Sequence, residues 1–158
     1  FTEPDHSGEQ FRCMVRAVRA IAEAKGWRLE STRIWCDFFS IPQRCKGMQL
    51  LAINSLAAYA ASAHAFAVVA PKVVHADTNQ TLDLESYNRR MWCRLENLCH
   101  WLHCGSNNRW LMEGNECVPA PDDDAFINTN LRVFQGEATV EADKLTLVLP
   151  LLSLYAEI

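Results

Sequence analysis

The run Ala65-Phe66-Ala67-Val68-Val69-Ala70, closed by Pro71, constrains the fold more than any other stretch of this chain. A short, continuous apolar run ended by proline suits a strand buried on both faces, as in a parallel sheet. Parallel strands need long crossovers, usually helices. The flanking sequence supplies them. Residues 9–25 carry an apolar stripe of Phe11, Val15, Val18 and Ile21/Ala22, with Arg12, Arg16, Arg19 and Glu23 on another face and Gly26 as a stop. Residues 48–62, rich in Ala and Leu, predict a second helix, and residues 87–104 a third with Met91, Leu95, Leu98 and Leu102 as its core stripe.

Two more strands fit the gaps. Arg33-Ile34-Trp35-Cys36-Asp37-Phe38-Phe39 is aromatic and bounded by Ser31-Thr32 and Pro42, which predicts a strand running into a loop at 40–47. Residues 109–112 predict another strand after the Gly105-Ser106-Asn107-Asn108 turn. Residues 73–84 read as a polar surface loop, 119–124 as an acidic flexible one and 131–134 as an edge strand. Residues 145–155 alternate like a strand at first, but the longer pattern favours a helix bent or started at Pro150. The alternation of helix and strand implies βαβ units and a parallel sheet with helices on both faces. Ligands in such sheets bind beyond the carboxyl ends of the strands, here bordered by the loops after Phe39 and Ala70.

With 158 residues the chain fits one domain over 1–158, and no repeat or low-complexity segment divides it. Hydrophobic residues at 49% argue against disorder. A net charge of −4 offers no basic face for nucleic acid. No apolar run approaches the ~20 residues that span a bilayer, and the polar opening from Phe1 is no signal peptide, so a start inside a longer protein is expected. Seven cysteines, several within apolar segments, read as reduced thiols of a cytoplasmic protein.

The chemistry concentrates on the third helix. Trp92, Glu96, His100 and His103 share one line along it, and Glu96 borders the core stripe. An aromatic one turn before a carboxylate can wall a pocket, exclude water and raise the carboxyl pKa. The plain alternative is a half-exposed Glu96 paired with Arg89 or Arg94. Asp37, at the end of the predicted strand, either faces the crevice or caps the loop; Ser40 and Gln43 either meet a ligand or serve the turn. Cys99/His103 and His100/Cys104 form i, i+4 pairs that point in different directions, with distant Cys117 as the one obvious extra ligand, so no metal site is assigned. A Cys93 nucleophile would need a nearby base.

Two segments carry a family resemblance. Ile34 to Gln43, read Ile-Trp-Cys-Asp-Phe-Phe-Ser-Ile-Pro-Gln, and Arg90 to Glu96, read Arg-Met-Trp-Cys-Arg-Leu-Glu, resemble the TIR superfamily and its heterokaryon-incompatibility (HET) branch. Gln49, Ile53, Tyr59 and Ala60 look like the next helix of the HET pattern, and residues 66–70 like the strand after it. The resemblance covers residues 11–104, and 105–158 are less defined. It implies a flavodoxin-like three-layer sandwich whose first strand the fragment lacks. It also implies cleavage of the nicotinamide–ribose bond of NAD. Glu96 would be catalytic, and Trp92, Asp37, Phe39, Ser40 and Gln43 would line the substrate site. NAD is then substrate rather than cofactor, and the partners are further copies or other TIR-like domains in immune, stress or cell-death signalling. Many TIR-like domains only assemble, so a non-catalytic self-association module is the alternative.

Overall fold

The computed structural model describes residues 5–121, 124–130, 132–138 and 140–156. The first residues of the polar opening, part of the acidic 119–124 loop and Leu131 of the expected edge strand lie outside them. The chain is a mixed α/β protein with a small sheet.

Helix α1 (Glu9–Lys25) ends at Gly26, whose φ of 67° lets its N–H close back on Ala22 and Glu23. Its buried line is Cys13, Ala17, Ile21 and Ala22, while Phe11 is 57% exposed. The buried face is therefore turned from the expected stripe. Small side chains at Cys13 and Ala17 let the helix lie close on the sheet, where they pack with Val69, Met112 and Cys117.

Strand β1 (Phe66–Val69) pairs in parallel with β4 (Arg109–Met112), Phe66 opposite Arg109. The backbone N–H of Ala70 extends the ladder to Met112 O at 3.0 Å. The antiparallel strand β5 (Cys117–Pro119) lies on the far side of β4, so the sheet is mixed, in the order β1-β4-β5. Between β1 and β4 the chain makes a small hairpin, β2 (Val73–Val74) with β3 (Thr81–Leu82), where a loop was expected. Side chains alternate along β1. Phe66 stacks on His100 of the third helix, and Val69 packs with α1 on the opposite face.

Three expected elements are interrupted. Residues 33–39 do not form a strand: the chain runs extended to Cys36 and then makes a single helical turn, α2 (Asp37–Ser40). An extended segment becomes a strand only when a neighbour takes its ladder, and none of the described residues does so here. The second helix breaks at Ser55 into α3 (Lys46–Asn54) and α4 (Leu56–Ser62), where Ser55 Oγ donates back to Leu51 O at 2.9 Å. The third breaks at Arg90 into α5 (Leu84–Arg89) and α6 (Met91–Cys104).

In the C-terminal part, α7 (Asp124–Asn130) is followed by a 3-10 turn, Val133–Gln135, in place of the edge strand. Then come α8 (Asp143–Thr146) and α9 (Val148–Ala156), and Pro150 falls in the first turn of α9, where its missing N–H costs nothing. The main core joins Leu56, Ala57 and Ala60 of α4 to Met91, Leu95, Leu98 and Cys99 of α6, closed by Val133, Leu147 and Leu154. Leu102, expected in the stripe, is 45% exposed. Among the described residues no helix is long and apolar enough to cross a membrane.

Candidate functional site

The site is built around the start of α6, and a distant segment sets that start. Helix α5 opens with a reciprocal cap, Ser86 N donating to Asp83 Oδ1 at 2.9 Å and Asp83 N to Ser86 Oγ at 2.7 Å. It stops at Arg90, whose backbone is extended at φ −75° and ψ 130°. Residues 136–137 hold it there. Glu137 N donates to Arg89 O at 2.7 Å, and Met91 N donates to Glu137 O at 3.0 Å. Two backbone bonds across the bend prevent α5 and α6 from fusing into one rod, and they fix where α6 presents its first turns.

Glu96 lies half-buried on α6 and makes no hydrogen bond or ion pair among the described residues. The arginines that would neutralise it in the plain alternative are engaged elsewhere. Arg89 faces Glu85 at 3.6 Å and Glu137 at 3.7 Å. Arg94 donates to Asn88 O at 2.7 Å and Arg132 O at 3.0 Å. Burial therefore pushes the Glu96 carboxyl up to about 8, the Asp37 carboxylate adds to the rise, and Arg90 partly offsets it. Asp37 on the first loop thus acts on Glu96 through its charge, with no hydrogen bond between the two side chains among the described residues.

Two further groups feel the Glu96 charge. The buried Cys93 thiol is pushed up to about 12, by burial first and by Glu96 second. A thiol held so firmly protonated is a poor nucleophile. Burial also holds the Tyr87 phenol well above its usual value, with Cys93 and Glu96 adding to the effect. Asn97, 2% exposed, donates through Nδ2 to Tyr87 Oη and to Cys93 O, both at 2.9 Å. Arg90, Tyr87 and Asn97 were missed from the sequence. Tyr87 and Asn97 sit ten residues apart on two helices, a spacing with no helical meaning once Arg90 breaks the periodicity.

The other expected residues divide. Trp92, one turn before Glu96, is half-buried against the main core. Phe39 is 70% exposed and meets Phe38 edge to face at 5.3 Å between centroids. Ser40 and Gln43 shape their own loop: Ser40 Oγ accepts from Cys36 N at 3.1 Å, and Gln43 Nε2 donates to Ile41 O at 3.0 Å and Phe38 O at 3.3 Å. Asp37 Oδ1 accepts from Phe38 N and, at 3.6 Å, from Cys36 Sγ. The loop is thereby stiffened from within, and α4 anchors it through Trp35 stacked on Tyr59, 5.6 Å between centroids.

The Cys/His sequence at the end of α6 serves packing. His100 is fully buried, its Nδ1 2.9 Å from Ala60 O, and burial holds its pKa below the usual 6.5. Cys104 Sγ donates to Ala61 O at 3.5 Å. Both tie α6 to α4. Among the described residues no group of three His, Cys, Asp or Glu side chains gathers to hold a metal ion, and all seven cysteines are free thiols. When the chain is compared with known protein families, curated proteins and solved structures, none matches.

Proposed function

We propose that this chain is a TIR-like domain, of the flavodoxin-like type, that hydrolyses the nicotinamide–ribose bond of NAD with Glu96 as its catalytic carboxylate. The observation that carries the reading is a half-buried Glu96, one turn after Trp92, that makes no hydrogen bond or ion pair among the described residues, with the Asp37 charge adding to the rise in its pKa. A protein gains no stability from such an arrangement. It suits a cationic ligand, and NAD presents one in its nicotinamide–ribose portion.

Binding of that cation would draw the proton off Glu96. The C–N bond then breaks with its electron pair leaving on the nicotinamide nitrogen, and the carboxylate steadies the positive ribose carbon. Water adds to that carbon and gives up a proton to Glu96. Trp92 keeps the site dry from one side, and Asp37 keeps Glu96 poised near neutrality.

The test incubates the protein with NAD and follows free nicotinamide. Wild type should release it, and Glu96→Gln should be slower by about 10²–10⁴-fold, the range for losing a positioned acid–base group. Absence of release even from clustered protein, or full activity in the variant, sinks the enzyme reading.

A second reading, a non-catalytic self-association module, has its own support. Met48, Leu50, Leu51 and Tyr59 on α3 and α4 are exposed, as are Ile34 and Phe39 beside them in sequence. Both readings accommodate pairing with further TIR-like domains in a cytoplasmic signalling protein, and the nicotinamide assay separates them.

A further inference from the structure

Helix α4 ends without a cap of its own. Ala63 turns extended, and among the described residues no backbone N–H beyond the helix closes on its last carbonyls. Such carbonyls need donors from elsewhere, and α6 supplies them. His100 Nδ1 lies 2.9 Å from Ala60 O. Cys104 Sγ, one turn on, donates to Ala61 O at 3.5 Å and to Ala63 O at 3.7 Å. A carbonyl can only accept, so the neutral His100 ring carries its proton on Nδ1. Its Nε2 is then a bare acceptor, fully buried and without a hydrogen-bond partner among the described residues.

The surroundings offer nothing to a charge on this ring. Phe66 of β1 stacks on it, 5.3 Å between centroids. Arg109 of β4 stands in register with Phe66, itself buried and held over the Phe126 ring at 3.2 Å. Neither β1 nor α4 carries an acid, and Tyr59 of α4 stacks on Trp35 of the first loop. On α6, His103 and Cys104 follow within a turn and Glu96 stands one turn before. Burial holds the His100 pKa below the usual 6.5 against the raising effect of the Ala60 carbonyl, and Arg109 and His103 add to the fall.

We infer that His100 is an acid-sensitive tie between α6 and α4: a proton on Nε2 makes a buried cation whose new N–H meets no acceptor, and the end of α4 comes away, taking with it the Tyr59 anchor of the first loop. The proton comes from water, and no other covalent bond is made or broken. The loop so released is the one that carries Asp37.

Above pH 6.5 the ring is neutral whether held or freed. Below it the freed ring takes a proton that the held ring refuses, so opening becomes easier as pH falls. Glu96 acts in the opposite sense, since its neutral form is favoured in the fold. The experiment therefore uses the full chain carrying Glu96→Gln, with and without His100→Phe or His100→Asn. Phenylalanine keeps the stack on Phe66, asparagine keeps an N–H for Ala60 O, and neither can ionise. Amide exchange is compared at pH 7 and pH 5 after correction for intrinsic rates, in the bonded amides of residues 60–62 of α4 and 39–41 of the loop. With His100 present, both sets should exchange faster at pH 5 by up to about tenfold, while α1 changes little. Either histidine variant should remove this acid response, and one carries the test if the other fails to fold. A response that persists in the variants, that is absent or confined to one of the two sets, or that extends equally to α1 overturns the inference. So does a His100 ring that nitrogen NMR finds titrating at or above its ordinary 6.5.

Discussion

Glu96→Gln should be more stable than wild type at pH 8 and no more stable at pH 4. The sign follows from which state binds the proton. Below its ordinary value of 4.5 the Glu96 carboxyl is protonated in both the folded and the unfolded chain, so it contributes no difference. As pH rises through 4.5 the unfolded chain ionises while the folded chain, held near 8, does not. Unfolding therefore becomes progressively easier between those two values, and the loss is complete above the folded one. Fully expressed, a gap of this size is on the order of 4–5 kcal/mol. Water reaching the half-buried carboxyl reduces it, and about 2–3 kcal/mol is the expected advantage of the neutral amide. For a chain of this size that is roughly a 4–12 °C rise in melting temperature. Thermal melts of both proteins from pH 4 to pH 9 read it directly. Parallel melting curves at every pH would show that Glu96 ionises freely and would remove the ground for its role.

The same substitution is expected to slow nicotinamide release by about 10²–10⁴-fold. A residue whose removal stabilises the fold while it destroys activity has the signature of a site that sacrifices stability for chemistry. A purely structural Glu96 would show the opposite pattern, losing stability with nothing gained.

How much of this could be read from the sequence depended on the range of the forces involved. The strand at 66–69, its parallel partner at 109–112 and the helix ended by Gly26 were legible, because an apolar run closed by proline and a left-handed glycine leave local marks. Only Val68 of β1 is buried and Ala67 is exposed, so the expected burial on both faces is not reached. Asp37 and Glu96 were expected to share a site only because the two motifs resemble one family; they stand 59 positions apart in the chain, and the electrostatic effect of one on the other leaves no local mark. Residues 33–36 have strand-forming side chains, yet that composition reports fit to a half-buried pleated surface and cannot supply the neighbouring strand. The polar Tyr87–Asn97 contact left no mark, because its geometry follows from a bend at Arg90 that the local pattern conceals. Trp92 and Glu96 kept their helical phase on α6 despite the break just upstream.

That bend leads to the second large effect. Gly136→Val should destabilise the protein by about 3 kcal/mol, near the upper end for overpacking a tight contact. The reason is not conformational freedom, since Gly136 has an ordinary φ of −74°. A Cβ placed there would lie 2.8 Å from Met91 Cα, 2.9 Å from Met91 N and 3.0 Å from Arg89 O. All three are backbone atoms, so no side chain can swing aside. Relief requires the 136–137 segment to lift, and lifting breaks the two bonds that hold Arg90 extended. Arg90 is the cation that, among the described residues, tempers Glu96, so the variant should also show a raised Glu96 midpoint, an effect that generic destabilisation would not produce. Gly47→Ala is the matched control: nothing lies within 4 Å of its Cβ, and it sits inside α3, where alanine is favoured over glycine by up to about 1 kcal/mol. Urea unfolding of both variants gives the comparison. If Gly136→Val unfolds at the wild-type midpoint, the 136–137 segment does not set the bend, and the start of α6 must be fixed by the core beneath Met91 alone.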